Sequence, residues 1–569
     1  MKNNIKLLIN PMIGLCFFLC ASNISAQLSA TELARIFASD AASGDSYGFD
    51  VDVDGDRAVI GARFDDDDGG GSGAVYVYLK DLKTKKWEEE TKLVMAGAAA
   101  GDNFGSSVAI DGDTIVVGAP QDDVNVGSPF HGSAHVFTRA PGGWDAGVEL
   151  LPLDTDTAYE NYGISVDIDN GFIVVGVAFD NDKGTASGSA YVYELAAGVW
   201  QKAGKLLPPS TENNQNFGWS VAIDMDMDTI VIGAPHWTDS GVGSAYVFTR
   251  SDSWVNPTSS KLPETDNLTA DQFGWSVSVS GNIAVVGANM DDDAGNGNDS
   301  GSITVFDRSS GDWINQGKLL ASNGEQNDRF GSDVATNGEA VIAGAFQNGS
   351  FNRGSFYTFS NPGSGWAEDG VIWPASSAQD VSTVQQFGTS VALDGGMLIV
   401  GAPTSDIYNG SNFVFVTGAA FVYGLNATSI PTTDGSDYLV IQSPPGTYLT
   451  NASAVDPATL GTPPPGVSFP LGALSFNVEG ITPGSAVEVE ILFPKDVSVS
   501  SYFKYSDHWY EFSDDGTTGA ILTPGKMTLK LVDGGRGDHD FVDNGVIVDP
   551  GALGAIIISE TLFEDGFED

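Results

Sequence analysis

The residues in this chain that could do chemistry are overwhelmingly carboxylates. Asp224, Asp226 and Asp228 alternate along one short stretch, Asp291, Asp292, Asp293 and Asp299 fall close together, and Asp533, Asp538, Asp540 and Asp543 crowd a glycine-rich segment near the C-terminus. Short acids at such spacings present hard oxygen ligands, so calcium is the cofactor these three sets could hold. The 224–228 set lacks the acid that would close a calcium loop from its twelfth position, and an acidic solvent turn has the same composition.

Other chemistries are less well supplied. Gly44-Asp-Ser46-Tyr-Gly48 spells the string of a serine-hydrolase elbow, but it leads into a strand and not a helix, so Ser46 is not read as a nucleophile. The five histidines include no metalloprotease pair; His131 and His135, four apart on a strand, share a face and read as polar surface groups. The chain carries 25 Lys and Arg against 75 Asp and Glu, a formal charge of −50, which excludes a nucleic-acid binder working by phosphate neutralisation. No catalytic residue stands out, and the chain is expected not to be an enzyme.

The elements that must position these acids repeat. Segments opening at Tyr47-Gly48, Phe104-Gly105, Tyr162-Gly163, Phe217-Gly218, Phe273-Gly274, Phe330-Gly331 and Phe387-Gly388 start 57, 58, 55, 56, 57 and 57 residues apart. Each runs through an alternating strand, a tight turn, a second apolar strand and Gly-Ala, with Val177 replacing the Ala in the third copy. A third strand follows a glycine, and a fourth is announced by Trp87, Trp144, Trp200, Trp254, Trp313 or Trp366. Four antiparallel strands per unit, repeated seven times, predict an all-β fold: a seven-bladed propeller with four-stranded blades. The seventh unit lacks its fourth strand, whereas 33–37 form an orphan strand ahead of the first unit. Pairing the two closes the ring and removes two sheet edges.

The ends carry other signals. Lys2 and Lys6 precede an apolar run over 7–19 that ends near Ser25-Ala26, which predicts a signal peptide over 1–26 and an exported chain. Cys16 and Cys20 both fall inside it, so the mature chain would have no disulfides. No later apolar run approaches the length of a membrane helix, and no transmembrane segment is expected in the mature chain. Alternating segments between Pro/Gly turns over 438–552 predict a small antiparallel β-sandwich, joined through a 427–437 linker and followed by an acidic tail over 553–569.

The aromatic-Gly and Gly-Ala-Pro pairs resemble the FG-GAP repeats of the integrin α-subunit propeller and its bacterial relatives, over 33 to about 426. That resemblance implies the same propeller, spanning 27–426, and says next to nothing about the ligand, because propellers host many functions. In the integrin-type repeat the first hairpin often holds calcium, but the glycine-to-glycine spacing here is 13 in six units, too short for that loop; only the fourth unit, at 15, has room. The motifs at Tyr502-Phe-Lys-Tyr505, His508-Trp-Tyr-Glu-Phe512 and Asn544-Gly-Val-Ile-Val-Asp-Pro550 resemble the bacterial choice-of-anchor U domain, which implies secretion or cell-surface display. Aspartates between the second and third strands, such as 65–68, 122–123, 180 and 182, would line one face of the disc. The expected function is binding to extracellular protein or polysaccharide through that face, calcium-assisted, by a monomer. A polysaccharide-acting propeller hydrolase or lyase, or a purely structural envelope protein, are the alternatives.

Overall fold

The computed structural model describes residues 30–556 apart from short stretches, the longest being 124–130, 151–159 and 539–545. Each repeat folds as its alternation dictates. In the second, Ser107–Asp111 and Thr114–Ala119 pair antiparallel with Val108 opposite Val117 and Ile110 opposite Ile115. The turn between them places Gly112 at a φ of 57°, the left-handed conformation that two-residue hairpins require. Ser133–Ala140 joins the second strand and Val148–Leu150 the third.

Seven sheets of this kind form, and their inner strands contact one another in chain order, with Val391–Asp394 of the seventh returning to Tyr47–Asp54 of the first. The outer strand of the seventh sheet is Ala30–Ile36, paired antiparallel with Ala419–Leu425. The N-terminal strand therefore closes the last blade, as the orphan segment predicts. Among the described residues no helix is long and apolar enough to cross a membrane.

The core lies between blades, not within them. Val75, Val77 and Leu93 of blade 1 pack against Phe104, Val108, Ile110 and Val117 of blade 2, and the same arrangement recurs at the six other blade interfaces. The aromatic of each aromatic-Gly pair is the plug of its interface. Phe104 is fully buried and meets the Phe137 ring edge-on, with centroids 5.9 Å apart.

The glycines that accompany these aromatics are fixed by the same contact. A Cβ on Gly118, the glycine of Gly-Ala in blade 2, would lie 2.0 Å from the carbonyl oxygen of Gly163, the aromatic-Gly glycine of blade 3. Gly61 stands in the same relation to Gly105, and Gly401 to Gly48 across the point of closure, each at 2.1 Å. The motif is thus two halves of one backbone-to-backbone contact that joins neighbouring blades.

Beyond the ring, Ala427–Pro431, Tyr438–Gln442, Ala486–Leu492, Lys526–Val532 and Gly519–Thr523 form one sheet. Tyr448–Val455, Ala473–Glu479, Val546–Ile556, Ser501–Tyr505 and Trp509–Glu511 build the other, and Ile441, Val489, Leu529, Phe476 and Ile547 fill the space between. The first strand lies inside the stretch read as a linker. Residues 427–431 have five backbone positions that pair with 438–442, so the chain passes from the last blade into the second unit with little free connection.

Gly118→Ala is expected to destabilise the protein by about 3 kcal/mol or more, because backbone atoms of blade 3 cannot yield. Gly142→Ala, at an exposed position with open space around it, should leave the chemical-denaturation midpoint unchanged.

Candidate functional site

Parallel bridges such as Gly73 with Phe104 and Gly188 with Phe217 bring the loop between the second and third strands of one blade against the entry to the next. These loops and the blade connections therefore share one face, as expected. The first acid of the loop, however, points inward. Asp65, Asp180 and Asp291 are 3, 5 and 2 % exposed. Lysines from the outer strands meet them: Lys92 Nζ lies 2.8 Å from Asp65, Lys205 Nζ 2.8 Å from Asp180, and Lys318 pairs with Asp291. Ser189 Oγ donates to Asp180 at 2.6 Å, and Ser302 donates to Asp291. A buried carboxylate needs such partners, and here the chain supplies its own cation.

The other calcium candidates are dispersed among separate partners. Asp224 accepts the Met227 and Gly281 amides, Asp226 the Asn170 side-chain amide at 3.2 Å, and Asp228 the Arg250 guanidinium at 2.9 Å. These three thus face the hairpin of the next blade, the hairpin of the previous blade and the third strand of their own. Asp292 accepts the Asp299 amide at 2.8 Å, while Asp299 faces Arg329 at 3.4 Å. Asp533 and Asp538 are buried, and Asp533 accepts the Gly484 amide at 3.0 Å. Asp293, Asp540 and Asp543 lie outside the described residues.

Among the described residues, acids and imidazoles converge on a single point at two other places. One is Asp40, Asp65 and Asp67, where Lys92 already bonds all three. The second is Asp122, His135 and Glu149. The sequence reading of His131 and His135 as polar surface groups is corrected here: both are buried, His135 because its face of the third strand turns toward the preceding blade, against the Phe104 ring.

At the centre of the ring the inner strands enclose a cavity of about 810 Å³. Its walls are acids and hydroxyls with a structural task. Asp50 accepts the Val108 amide at 2.8 Å, Asp52 the Ile110 amide at 2.7 Å and Asp54 the Gly112 amide at 2.6 Å, each reaching from blade 1 to the inner strand of blade 2. Asp167 reaches Ile223, Asp333 reaches Val391, and Asp394 reaches Gly55 across the closure. Ser107, Ser220 and Ser278 do the same with their hydroxyls. Burial pushes Asp167 and Asp333 up to about 7, against the lowering effect of the amides they accept.

The mouth of this cavity on the loop face is aromatic. The residue after each aromatic-Gly pair stands at the start of an inner strand; there the side chains include Phe49, Trp219 and Trp275, all lining the cavity. Trp219 and Trp275 lie 5.0 Å apart between ring centroids, tilted by 46°. Arg63, at the end of the neighbouring strand, sits 3.5 Å over the Phe49 ring and 4.5 Å over Phe64, which is 40 % exposed. Among the described residues no carboxylate is ion-paired with Arg63, and burial pushes its guanidinium down to about 10. The sequence signal for this site was available: in a repeat whose flanking positions hardly vary, the position after aromatic-Gly is occupied by Phe, Ser, Ile, Trp, Trp, Ser and Thr.

Comparison with known proteins agrees with the repeat. The FG-GAP repeat profile matches residues 30–78, 87–137, 144–193, 200–248, 258–306, 313–359 and 377–423, more than half of the chain. The chain belongs to the FG-GAP repeat family. No curated protein matches it. Solved structures similar to it include the WD40 repeats of RRP9, at 10 % identity and a TM-score of 0.43, covering 70 % of this chain and 98 % of that one. Sqt1 of Chaetomium thermophilum is 14 % identical with a TM-score of 0.39, covering 67 and 85 %. The computationally designed Ika8 protein is 15 % identical with a TM-score of 0.35, covering 69 and 99 %. In this FG-GAP chain the family motifs fall at the blade interfaces, whereas the aromatic mouth lies at positions that the motif leaves open.

The cavity acids set a pH dependence. Asp167 and Asp333 take up protons below about 7 in the folded chain but only near 4 when unfolded, so the native state binds more protons in between. Their contribution is present at low pH and is lost as pH rises through 7. His135, pushed down to about 4 by burial, works the other way and gains stability as pH rises from 4 to about 6.5. Melting curves at matched ionic strength should give a lower Tm at about pH 8.5 than at about pH 6. Asp167→Asn should flatten that difference.

Proposed function

We propose that this FG-GAP chain is an exported, non-enzymatic binding module that takes an extracellular polysaccharide or protein through the loop face of its propeller. The contact centre is the mouth of the central cavity. The observation that carries this reading is the partly buried Trp219–Trp275 pair, with Phe49 and Phe64 holding the Arg63 guanidinium on the same rim. Partly exposed aromatic faces gathered at one concave site are costly to leave in water and suit ligands with flat apolar faces, sugar rings above all. Arg63, unneutralised in a chain of charge −50, would favour a ligand with an acidic group.

Binding without catalysis is supported by how the cavity acids are used. Asp52 accepts the Val53 amide on one oxygen and Ile110 on the other, and Asp167 and Asp333 are engaged in the same way. Acids held by two backbone amides serve the ring and not a substrate. Export rests on the leader over 1–26 and display on the likeness of 438–552 to choice-of-anchor U domains of bacteria. A monomer suits a ring that closes on itself. Calcium belongs to this reading only at the 533–543 acids, which the sequence sets close together.

Glycan and protein arrays probed with the purified chain test the proposal. Retention of a polysaccharide or protein is expected, and Trp219→Ala with Trp275→Ala should weaken it more than about 10-fold at unchanged Tm. Turnover of a retained glycan would favour the hydrolase or lyase alternative, and silence on both arrays the structural one. Melting curves in calcium and in chelator test the metal separately: a rise in Tm with calcium, lost in Asp533→Asn, is the expected result.

A further inference from the structure

The three positions that form the buried Lys–Asp pair can be followed from blade to blade. The third residue after the second strand is Asp65, Asp122, Asp180 and Asp291 in blades 1, 2, 3 and 5. Facing it across the third and outer strands are the register pairs Tyr76–Lys92, His135–Glu149, Tyr191–Lys205 and Thr304–Lys318. Blades 1, 3 and 5 thus set an ammonium against the aspartate. Blade 2 keeps the aspartate, replaces the lysine with a carboxylate, and puts an imidazole where blades 1 and 3 have a phenol.

This reversal leaves two acids and no cation. Among the described residues neither Asp122 nor Glu149 has an ion-pair partner, and the acids nearest them, Asp102 and Asp123, add to the negative field. Burial raises both Asp122 and Glu149 above the usual carboxylate range, and it keeps His135 neutral, with a ring nitrogen free of its proton. The ligand atoms of Asp122, His135 and Glu149 all lie within 4.8 Å of one another. Ser133 Oγ, 2.6 Å from Asp122 and 2.9 Å from His135 Nε2, holds the first two in place. Bonds of about 2.1 Å to a tetrahedral ion put ligand atoms about 3.4 Å apart, so a small inward turn of Glu149 from its exposed edge completes three contacts.

We propose that Asp122, His135 and Glu149 form a site for a divalent transition metal of the zinc class, which replaces in blade 2 the lysine that neutralises blades 1, 3 and 5. One imidazole with two carboxylates suits zinc better than calcium, which prefers six or more oxygens. Solvent at the Glu149 side supplies the fourth ligand and the route of entry.

The full chain, stripped with EDTA and dialysed, is titrated calorimetrically with zinc chloride. One equivalent should bind, with excess calcium failing to compete. Glu149→Lys rebuilds the ion pair of the other blades and should fold with a Tm at or above that of the metal-free parent. It should weaken zinc binding by more than the roughly 100-fold that loss of an outer-shell partner can cost. His135→Tyr, which restores the phenol of blades 1 and 3, should do the same. Absence of a stoichiometric zinc phase overturns the proposal, as does a phase that persists in both variants.

Discussion

The structure depends on how one blade's inner strand is received by its neighbour. A four-stranded blade has a free edge at the centre of the ring, and its outward-pointing amides would be left without partners in a narrow cavity. The preceding blade answers with side chains: Asp50, Asp52 and Asp54 take the alternate amides of Val108, Ile110 and Gly112 along the next inner strand and its turn, and Ser or Asp does so around the ring to Asp394, which returns to Gly55. The bonds demand close approach, which is why glycine faces glycine where the blades meet, from Gly61 with Gly105 round to Gly401 with Gly48. Side-chain bonding, backbone approach and the aromatic plug are three aspects of one repeated contact.

That contact also apportions the acidic charge. One group of aspartates serves the inner strands and is held in place by the amides it accepts; burial raises the pKa of Asp50, Asp52, Asp167, Asp333 and Asp394 among them. A second group ties down the loops on one face, and in blades 1, 3 and 5 a lysine from the outer strand neutralises it. The scarcity of lysine and arginine is therefore deceptive: several of those present, Lys92, Lys205 and Lys318 among them, are placed where a buried acid needs them. The most distinctive non-acidic feature of the cavity mouth is the aromatic rim around Arg63.

Most of the ring was legible in the sequence because its determinants are local and repeated. Alternation, Asp-Gly turns and the rhythm of Phe-Gly to Gly-Ala give strands, hairpins and blade count, and the orphan ahead of Tyr47 could complete one blade only, the last. Asp224, Asp226 and Asp228 show where this local reasoning ends. Spacing along a hairpin suggested convergence, but the first and last belong to contacts with different neighbours and the middle one leans to the previous blade. The burial of His135 was equally hidden, since it follows from packing between its own outer strand and the preceding blade.

The sequence by itself determined the architecture, since hydrophobic periodicity and turn chemistry act within a few residues and seven copies leave little room for another fold. Tertiary structure alone decided what each acid does. A carboxylate's role is set by the donor or cation within about 3 Å of it, and in a ring of stacked blades that partner comes from another strand or another blade, as far as 340 residues away for Asp50 and Ser390.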